Sequence, residues 1–405
     1  MDQSSKKSKI RRRDASIFMN GTLTSRVKSW LSRFDTSVVA LPLLATLAAL
    51  AIGAVMLLIL GANPIVAYQA LLEGAFGNPN AVAETIVKAT PLLLVGLGIC
   101  ISFRGNVINI GGEGQMILGA LLATWLGLQF TTWPGWVMIP AALLFGFLGG
   151  ALWGGIPGVL KAYFNVNEIL STIMMNAIAV QLMNFLLRGP MIDPAQLELA
   201  SRIPQSARLV EMYHLPRLVP TRLHLGAAIA IALAILVYIL LWRTTLGYRI
   251  RAVGQNPEAS KYAGINVKRS IVISLLLSGA FAGLAGATQV FGVNYRMITD
   301  GSASGFTGSA GFNGIVAALF GQLHPIGTIP ASFLFGAMLV GANKLQRTVQ
   351  VPSALVIALN GLVVIFVVSS EIIRRRRQRA AEIARVEEEK PPDPGPPESE
   401  AGVST

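Results

Sequence analysis

From Val38 to Leu60 the chain runs without a single charged side chain. Similar runs recur along its length, each close to the roughly 20 apolar residues that cross a hydrocarbon core as a helix. A backbone in lipid must satisfy its own N–H and C=O groups, which only helices and closed barrels achieve. The runs are continuous rather than alternating, so barrel strands are excluded. Composition agrees, with 53% hydrophobic and 13% charged residues against about 25% charged in soluble domains. Mean hydropathy is +0.59. The expected fold class is all-α, a polytopic integral membrane protein of about ten transmembrane helices.

Apolar length and polar interruptions place spans near 38–60, 85–103, 108–128, 137–160, 167–188, 223–242, 270–291, 311–322, 326–343 and 353–373. Gln322-Leu323-His324-Pro325 separates the eighth from the ninth, as a tight turn at a membrane face or as a re-entrant break. The first run exceeds a signal-peptide core and is expected to stay as a helix. Ten crossings put both termini on one side. Lys6, Lys7, Lys9 and Arg11 to Arg13 precede the first span, and Arg374 to Arg377 and Arg379 follow the last. Basic flanks mark the cytoplasmic side, so both termini are expected there.

The loops mostly sort accordingly. Arg104, Lys161 and the group Arg243, Arg249, Arg251, Lys261, Lys268 and Arg269 fall inside, while loops 61–84 and 129–136 lack Lys and Arg and fall outside. Two connections run against the pattern. Loop 189–222 carries Arg202, Arg208, Arg217 and Arg222, offset in part by Asp193, Glu198 and Glu211, and 344–352 carries Lys344 and Arg347. The expected organisation is a basic cytoplasmic segment 1–37, a transmembrane domain 38–373, and a tail 374–405. Within the domain lie a cytoplasmic loop at about 243–270 and an outer loop at about 189–222. The Pro/Glu/Ser-rich composition of the tail predicts disorder.

The net charge is +13, but basic residues gathered beside spans mark a membrane side, so no nucleic-acid partner is expected. Cys100 is the sole cysteine, which rules out an intramolecular disulfide and suits buried packing. His214, His224 and His324 follow no metal-ligand spacing. No nucleophile–base pair or paired carboxylates stand out, so no enzyme is expected. No Gly-x4-Gly-Lys-Ser/Thr phosphate loop occurs.

Two glycine-rich interruptions sit five spans apart, entering from opposite faces. Asn109-Ile-Gly-Gly-Glu-Gly-Gln115 opens the third span, and Gly301-Ser-Ala-Ser-Gly-Phe-Thr-Gly-Ser-Ala-Gly-Phe-Asn-Gly314 opens the eighth. Matching breaks in two halves point to an inverted repeat and to a translocation path. Glu113 would cost about 2.5–3.5 kcal/mol at mid-membrane. In one reading Gly111 and Gly112 let helices approach while Glu113 and Gln115 hold a break by hydrogen bonds. In the other, Glu113 simply favours the positive end of an interfacial helix. Arg104 is its natural partner.

The fifth span carries Asn176, Gln181 and Asn184, the two asparagines eight residues apart on one helical face. They could bond a solute's hydroxyls or base edge, or hold helices together at about 0.6 kcal/mol per bond. Gln289, Asn294, Asn313 and Asn360 carry the same two readings. Phe281, Phe291, Phe306 and Phe312 could stack on a base or fill core and lipid-facing positions. Glu84 and Lys88 are one turn apart and expected to pair.

Between the sixth and seventh spans, Gln255-Asn256 offers a cap, Pro257 a first helical turn and Gly264 a stop. This is a short helix suited to a partner's groove, or an ordinary solvated loop. Its Glu258-Ala259-Ser260…Gly264 looks like the Glu-Ala-Ala…Gly cytoplasmic loop of ATP-binding-cassette (ABC) importer permeases, without their Ile-x-Leu-Pro ending. Gly105-Asn106-Val-Ile-Asn109-Ile-Gly111-Gly112-Glu113-Gly114-Gln115 and Asn167-Glu168…Thr172-Ile-Met-Met-Asn176 join it. Together, over about 40–372, they resemble the permease family serving simple sugars, branched-chain amino acids and nucleosides. The nearest likeness is to the larger partner of its nucleoside-type subgroup.

The resemblance implies a type II-like importer permease moving nucleosides, or related ribose-containing solutes, across a bacterial cytoplasmic membrane. It implies coupling through Pro257, Glu258, Ala259, Ser260 and Gly264, and a path whose candidates are Asn176, Gln181, Asn184, Gln289 and Asn313. The implied partners are membrane lipid, a cytoplasmic ATP-binding subunit holding ATP and Mg, a second permease, and an extracytoplasmic substrate-binding protein. No cofactor is expected on this chain. Sugars or branched-chain amino acids are the alternative cargo. An ion-coupled carrier would want a mid-membrane acid or histidine relay, and no span offers one at its centre. A passive channel would not depend on an ATPase.

Overall fold

The computed structural model describes residues 37–199 and 202–351, with helical backbone at a few positions beyond. The basic N-terminal segment, nearly all of the tenth span, Asn360 and the tail lie outside the described residues. The chain divides into a unit Gly53–Gly361 and a second made of Met1–Ile52 with Leu362–Thr405. The packing below is that of the first.

The described helices are α1 (Ser37–Ile59), α2 (Pro64–Phe76), α3 (Pro79–Arg104), α4 (Gly112–Gln129), α5 (Gly135–Phe164), α6 (Glu168–Arg188), α7 (Pro194–Leu197), α8 (Gly226–Arg243), α9 (Thr245–Gln255), α10 (Pro257–Tyr262), α11 (Val267–Gln289), α12 (Ala303–Thr307), α13 (Ala310–Phe320) and α14 (Pro325–Val349). A π turn, Val290–Asn294, extends α11. Among the described residues β pairing is limited to isolated bridges, such as Gln205 with Ile298. Among the described residues six helices are long and apolar enough to cross a membrane: α3, α5, α6, α8, α11 with its π turn, and α14. The all-α polytopic class expected from the apolar runs is what forms.

At the centre, α11 packs on α5, α4 and α3, while α3 also backs onto α14 and α13. Lipid gives helices no hydrophobic reason to associate, so close approach of small residues does that work. Gly146, Gly150 and Gly154 of α5 lie against Gly279, Gly283 and Leu275 of α11. A core of Ile117, Leu121, Met183, Phe291 and the fully buried Tyr213 fills the space toward one end.

Two ends can be distinguished. The proximal end holds α9 and α10, and there Arg104 donates to the carbonyls of Leu323 (3.2 Å) and Gln322 (3.4 Å). Lys161 pairs with Glu168 at 2.8 Å, and Lys268 lies 5.2 Å from the Tyr163 ring. The distal end holds residues 189–225. There the Tyr213 hydroxyl donates toward the carbonyls of Phe130 and Trp133, and Leu209 N–H donates to Tyr295 O at 2.8 Å.

Two expectations change, and one of two open readings is selected. Residues 61–84, read as a loop, contain α2, started by Asn63 accepting from Ile65 N–H and packed on α14. Its Glu73 meets Lys344 at 2.8 Å, which answers the positive charge that ran against the loop pattern. Glu84 pairs across chain segments with Arg222 at 3.4 Å rather than with Lys88. Residues 321–324 form a tight turn joining α13 to α14, with Gln322 and Leu323 at positive φ.

Candidate functional site

The proximal loop is built from consecutive caps. Thr244 Oγ1 accepts from Gly247 N–H at 3.1 Å and starts α9. Asn256 ends α9 through its own N–H to Ala252 O and starts α10 by accepting from Ala259 N–H at 3.0 Å. Pro257 occupies the first turn, where its missing N–H costs nothing. Gly264 closes the helix at φ +78°, a conformation glycine adopts freely. Asn266 then caps α11. Ser260 is buried, whereas Pro257, Glu258, Ala259, Lys261 and Gly264 are exposed. Tyr262 stands 91% exposed at the tip. Sequence reasoning passed over it, although an aromatic in a basic polar loop was the available signal.

The first glycine-rich break is a strap, residues 105–111, that turns back from the proximal end into the helix bundle before α4 begins. Asn106 makes the corner at φ +55°, in the left-handed region asparagine tolerates. Side chains satisfy the strap's exposed backbone groups. Thr172 Oγ1 accepts from Ile110 N–H (3.3 Å), Asn176 Nδ2 donates to Ile110 O (3.0 Å), and Asn176 Oδ1 accepts from Gly114 N–H (2.8 Å). Asn109 exchanges amide bonds with Gln115 at 2.9 and 3.1 Å and donates to Ser278 Oγ at 2.8 Å. Buried polar groups must find partners, and here they tie the strap to α4, α6 and α11, and α6 directly to α4.

The second break meets the first. Gly311 lies against Gly112 and the Glu113 backbone, so near that a Cβ on Gly311 would crowd Glu113 N. Glu113 is 2% exposed, and its Oε1 accepts from Phe312 N–H at 3.1 Å. An acid of α4's first turn thus caps the first turn of α13, helix start to helix start. The expected pairing with Arg104 does not form, because that guanidinium faces the 322–323 carbonyls.

The asparagines of α6 do share a face, and each holds one break. Asn176 fastens the first, as described. Asn184 Oδ1 accepts from Thr299 Oγ1 at 2.8 Å and its Nδ2 donates to Gly301 O at 3.4 Å, fastening the second. Gln181 between them is exposed. With Asn184, Phe185, Arg188 and Gly189 it lines an open recess of about 530 Å³. Gln289 and Asn313 are half-buried, at the end of α11 and the start of α13. Phe281, Phe291 and Phe306 are buried in the core, whereas Phe312 is 48% exposed. Asp300 was not singled out from sequence. The N–H and hydroxyl of Ser302 hold its carboxyl below the usual range on this exposed stretch.

Among the described residues no group of His, Cys, Asp or Glu is placed to hold a metal. Residues 81–368 match the family described as branched-chain amino acid transport system / permease component. The chain is 38% identical over 328 residues to the guanosine ABC transporter permease protein NupP of Bacillus subtilis, covering 81% of this chain and 92% of that one. It is 33% identical over 339 residues to the glucose ABC transporter permease protein TsgB13 of Haloferax volcanii, covering 81% and 86%. It is 31% identical over 337 residues to the nucleoside ABC transporter permease protein NupB of Lactococcus lactis, covering 82% and 91%. No solved structure is similar to it. A bundle of membrane-crossing helices with two meeting breaks, matched over most of its length to these transport proteins, belongs to the family of ABC permease components typified by branched-chain amino acid transport.

Proposed function

We propose that this chain is one of two permease subunits of an ABC importer that moves nucleosides, or related ribose-containing solutes, across a bacterial cytoplasmic membrane. The observation that carries the cargo is the 38% identity to the guanosine permease of Bacillus subtilis across 92% of that protein. In this reading the proximal end is cytoplasmic, as are both termini. Helix α10, with Pro257, Glu258, Ala259 and Ser260 and the Gly264 stop, seats in a groove of an ATPase subunit that binds ATP and Mg. The distal end receives solute from a binding protein.

The exposed side of α6, with Gln181 and the Phe185 ring, and the start of α13, with Phe312 and Asn313, form this chain's half of the path. A second permease completes it. Neutral amides and aromatic rings suit a nucleoside, which carries no charge, needs hydrogen bonds along its edges and stacks through its base. The glucose permease relative supports a second cargo, a monosaccharide, on the same machine. Uptake of labelled guanosine and of labelled glucose by cells with and without the chain tests the reading. Loss of guanosine uptake supports it, and loss of glucose uptake alone moves the cargo to sugar.

A further inference from the structure

We propose that α9 is the lever that carries the ATPase stroke into the membrane. It acts through a backbone seat at Gly254 on the corner formed by residues 104–106, and along the strap to Glu113, which positions the start of α13. The proposal rests on the importer reading and names positioning residues that α10 alone does not supply.

The seat is backbone on backbone. A Cβ at Gly254 would overlap the carbonyl oxygen of Arg104 and stand 3.1 Å from Asn106 N. The three atoms nearest that Cβ are all main chain, so a displacement of α9 at Gly254 meets backbone first. One turn earlier, Arg251 Nε donates to Leu241 O at 2.9 Å. Its guanidinium lies 5.8 Å from the Trp242 ring centre, and that of Arg104 lies 5.4 Å from the same ring. Two cations on one indole tie α9 and the ends of α3 and α8 into one corner.

From that corner the strap cannot slacken. Asn106 fixes its direction, Thr172 and Asn176 hold both polar groups of Ile110, and Asn109 is bound to Gln115 and Ser278. Close-packed interiors pass displacement on rather than absorb it. The strap leads into the first turn of α4, where Glu113 Oε1 accepts from Phe312 N–H of α13 at 3.1 Å. Phe312 is on the exposed side of α13. A push at Gly254 therefore reaches a residue on the path face through contacts that are all covalent, backbone or hydrogen-bonded.

The complete importer, with both permeases, ATPase and binding protein, is reconstituted in lipid vesicles, and solute moved per ATP hydrolysed is measured. The variants are Gly254→Ala, Glu113→Ala, their combination, and Glu113→Gln, whose amide oxygen still accepts from Phe312. Each alanine variant is expected to lower solute moved per ATP by about fivefold while ATP continues to be hydrolysed. The double variant is expected to be no worse than the poorer single one, and Glu113→Gln to restore most of what Glu113→Ala loses. Should Gly254→Ala not assemble, Arg251→Gln takes its place, with the same non-additivity expected. Independent, multiplying losses in the double variant would overturn the relay, as would an unchanged ratio in either single one or a Glu113→Gln no better than Glu113→Ala. If the unaltered complex shows no ATP-driven uptake of any solute, the importer reading fails instead, and the two failures are told apart.

Discussion

Gly150 of α5 and Gly279 of α11 cross with their backbones in contact, so that a Cβ on either would overlap the other's carbonyl oxygen. Membrane helices gain stability from such approach because dispersion grows as backbones close up, while lipid offers no hydrophobic penalty for separation. Gly155, on the same helix, is different. A Cβ there would meet only the end of Leu276, at 4.0 Å.

The contrast gives a paired test in one helix. Gly150→Ala is expected to cost about 1–3 kcal/mol by overpacking and to lower the melting temperature of the purified protein in bilayer discs. Gly155→Ala is expected to be neutral or slightly stabilising, because alanine orders a helix at less entropic cost.

Asn176 and Gln181 should separate cleanly. Asn176→Leu strips the partner from Gly114 N–H and Ile110 O, at a cost of about 1–3 kcal/mol for buried unsatisfied groups. Thermal stability is therefore expected to fall. Gln181→Leu removes an exposed side chain and is expected to leave stability within about 0.5 kcal/mol. Its effect should appear in the apparent KM for solute.

Tyr262 projects almost fully from the tip of α10. In the proposed assembly it is an aromatic anchor in the ATPase groove. Tyr262→Ala is expected to weaken association by about 2 kcal/mol, roughly thirtyfold, read by titrating the ATPase onto the permease in bilayer discs. The isolated permease should melt as before.

His224 sets a pH dependence at the distal end. Burial, aided by the nearby Arg222 charge, pushes its pKa down to about 4 from the ordinary 6.5. Its Nδ1 accepts from Gly226 N–H, which requires the neutral ring. The unfolded chain takes up a proton near pH 6.5 that the folded chain refuses until about pH 4. Stability from this group is therefore complete above about pH 6.5 and falls by about 3 kcal/mol as pH drops to 4. His224→Phe is expected to flatten that slope in melting experiments between those pH values.

Much of the fold was legible because long charge-free runs leave a membrane chain little choice. The helix α10 was legible too, since Asn256, Pro257 and Gly264 each do at a helix end what their chemistry favours. The two breaks were visible as glycine-rich interruptions. That they meet was not, because Glu113 and Phe312 lie far apart in sequence and nothing local marks one as the other's partner. Arg104 was the nearer opposite charge, yet the 322–323 carbonyls take it instead. Helix α2 was hidden by its shortness and by the turn residues at each end, which read as loop. Asn176 and Asn184 illustrate a third limit. Their spacing placed them on one face, but only tertiary contacts distinguish an amide that holds backbone from one free to touch solute.

The most direct measurement is uptake of labelled guanosine into vesicles containing the full importer, with ATP supplied to the ATPase. It is repeated with Glu258→Ala and Gly264→Ala, after the complex is shown to remain assembled. The expected result is ATP-dependent uptake, displaced by excess uridine but not by glucose, that falls at least about tenfold in the loop variants. Uptake that ignores both ATP and the loop would contradict the account.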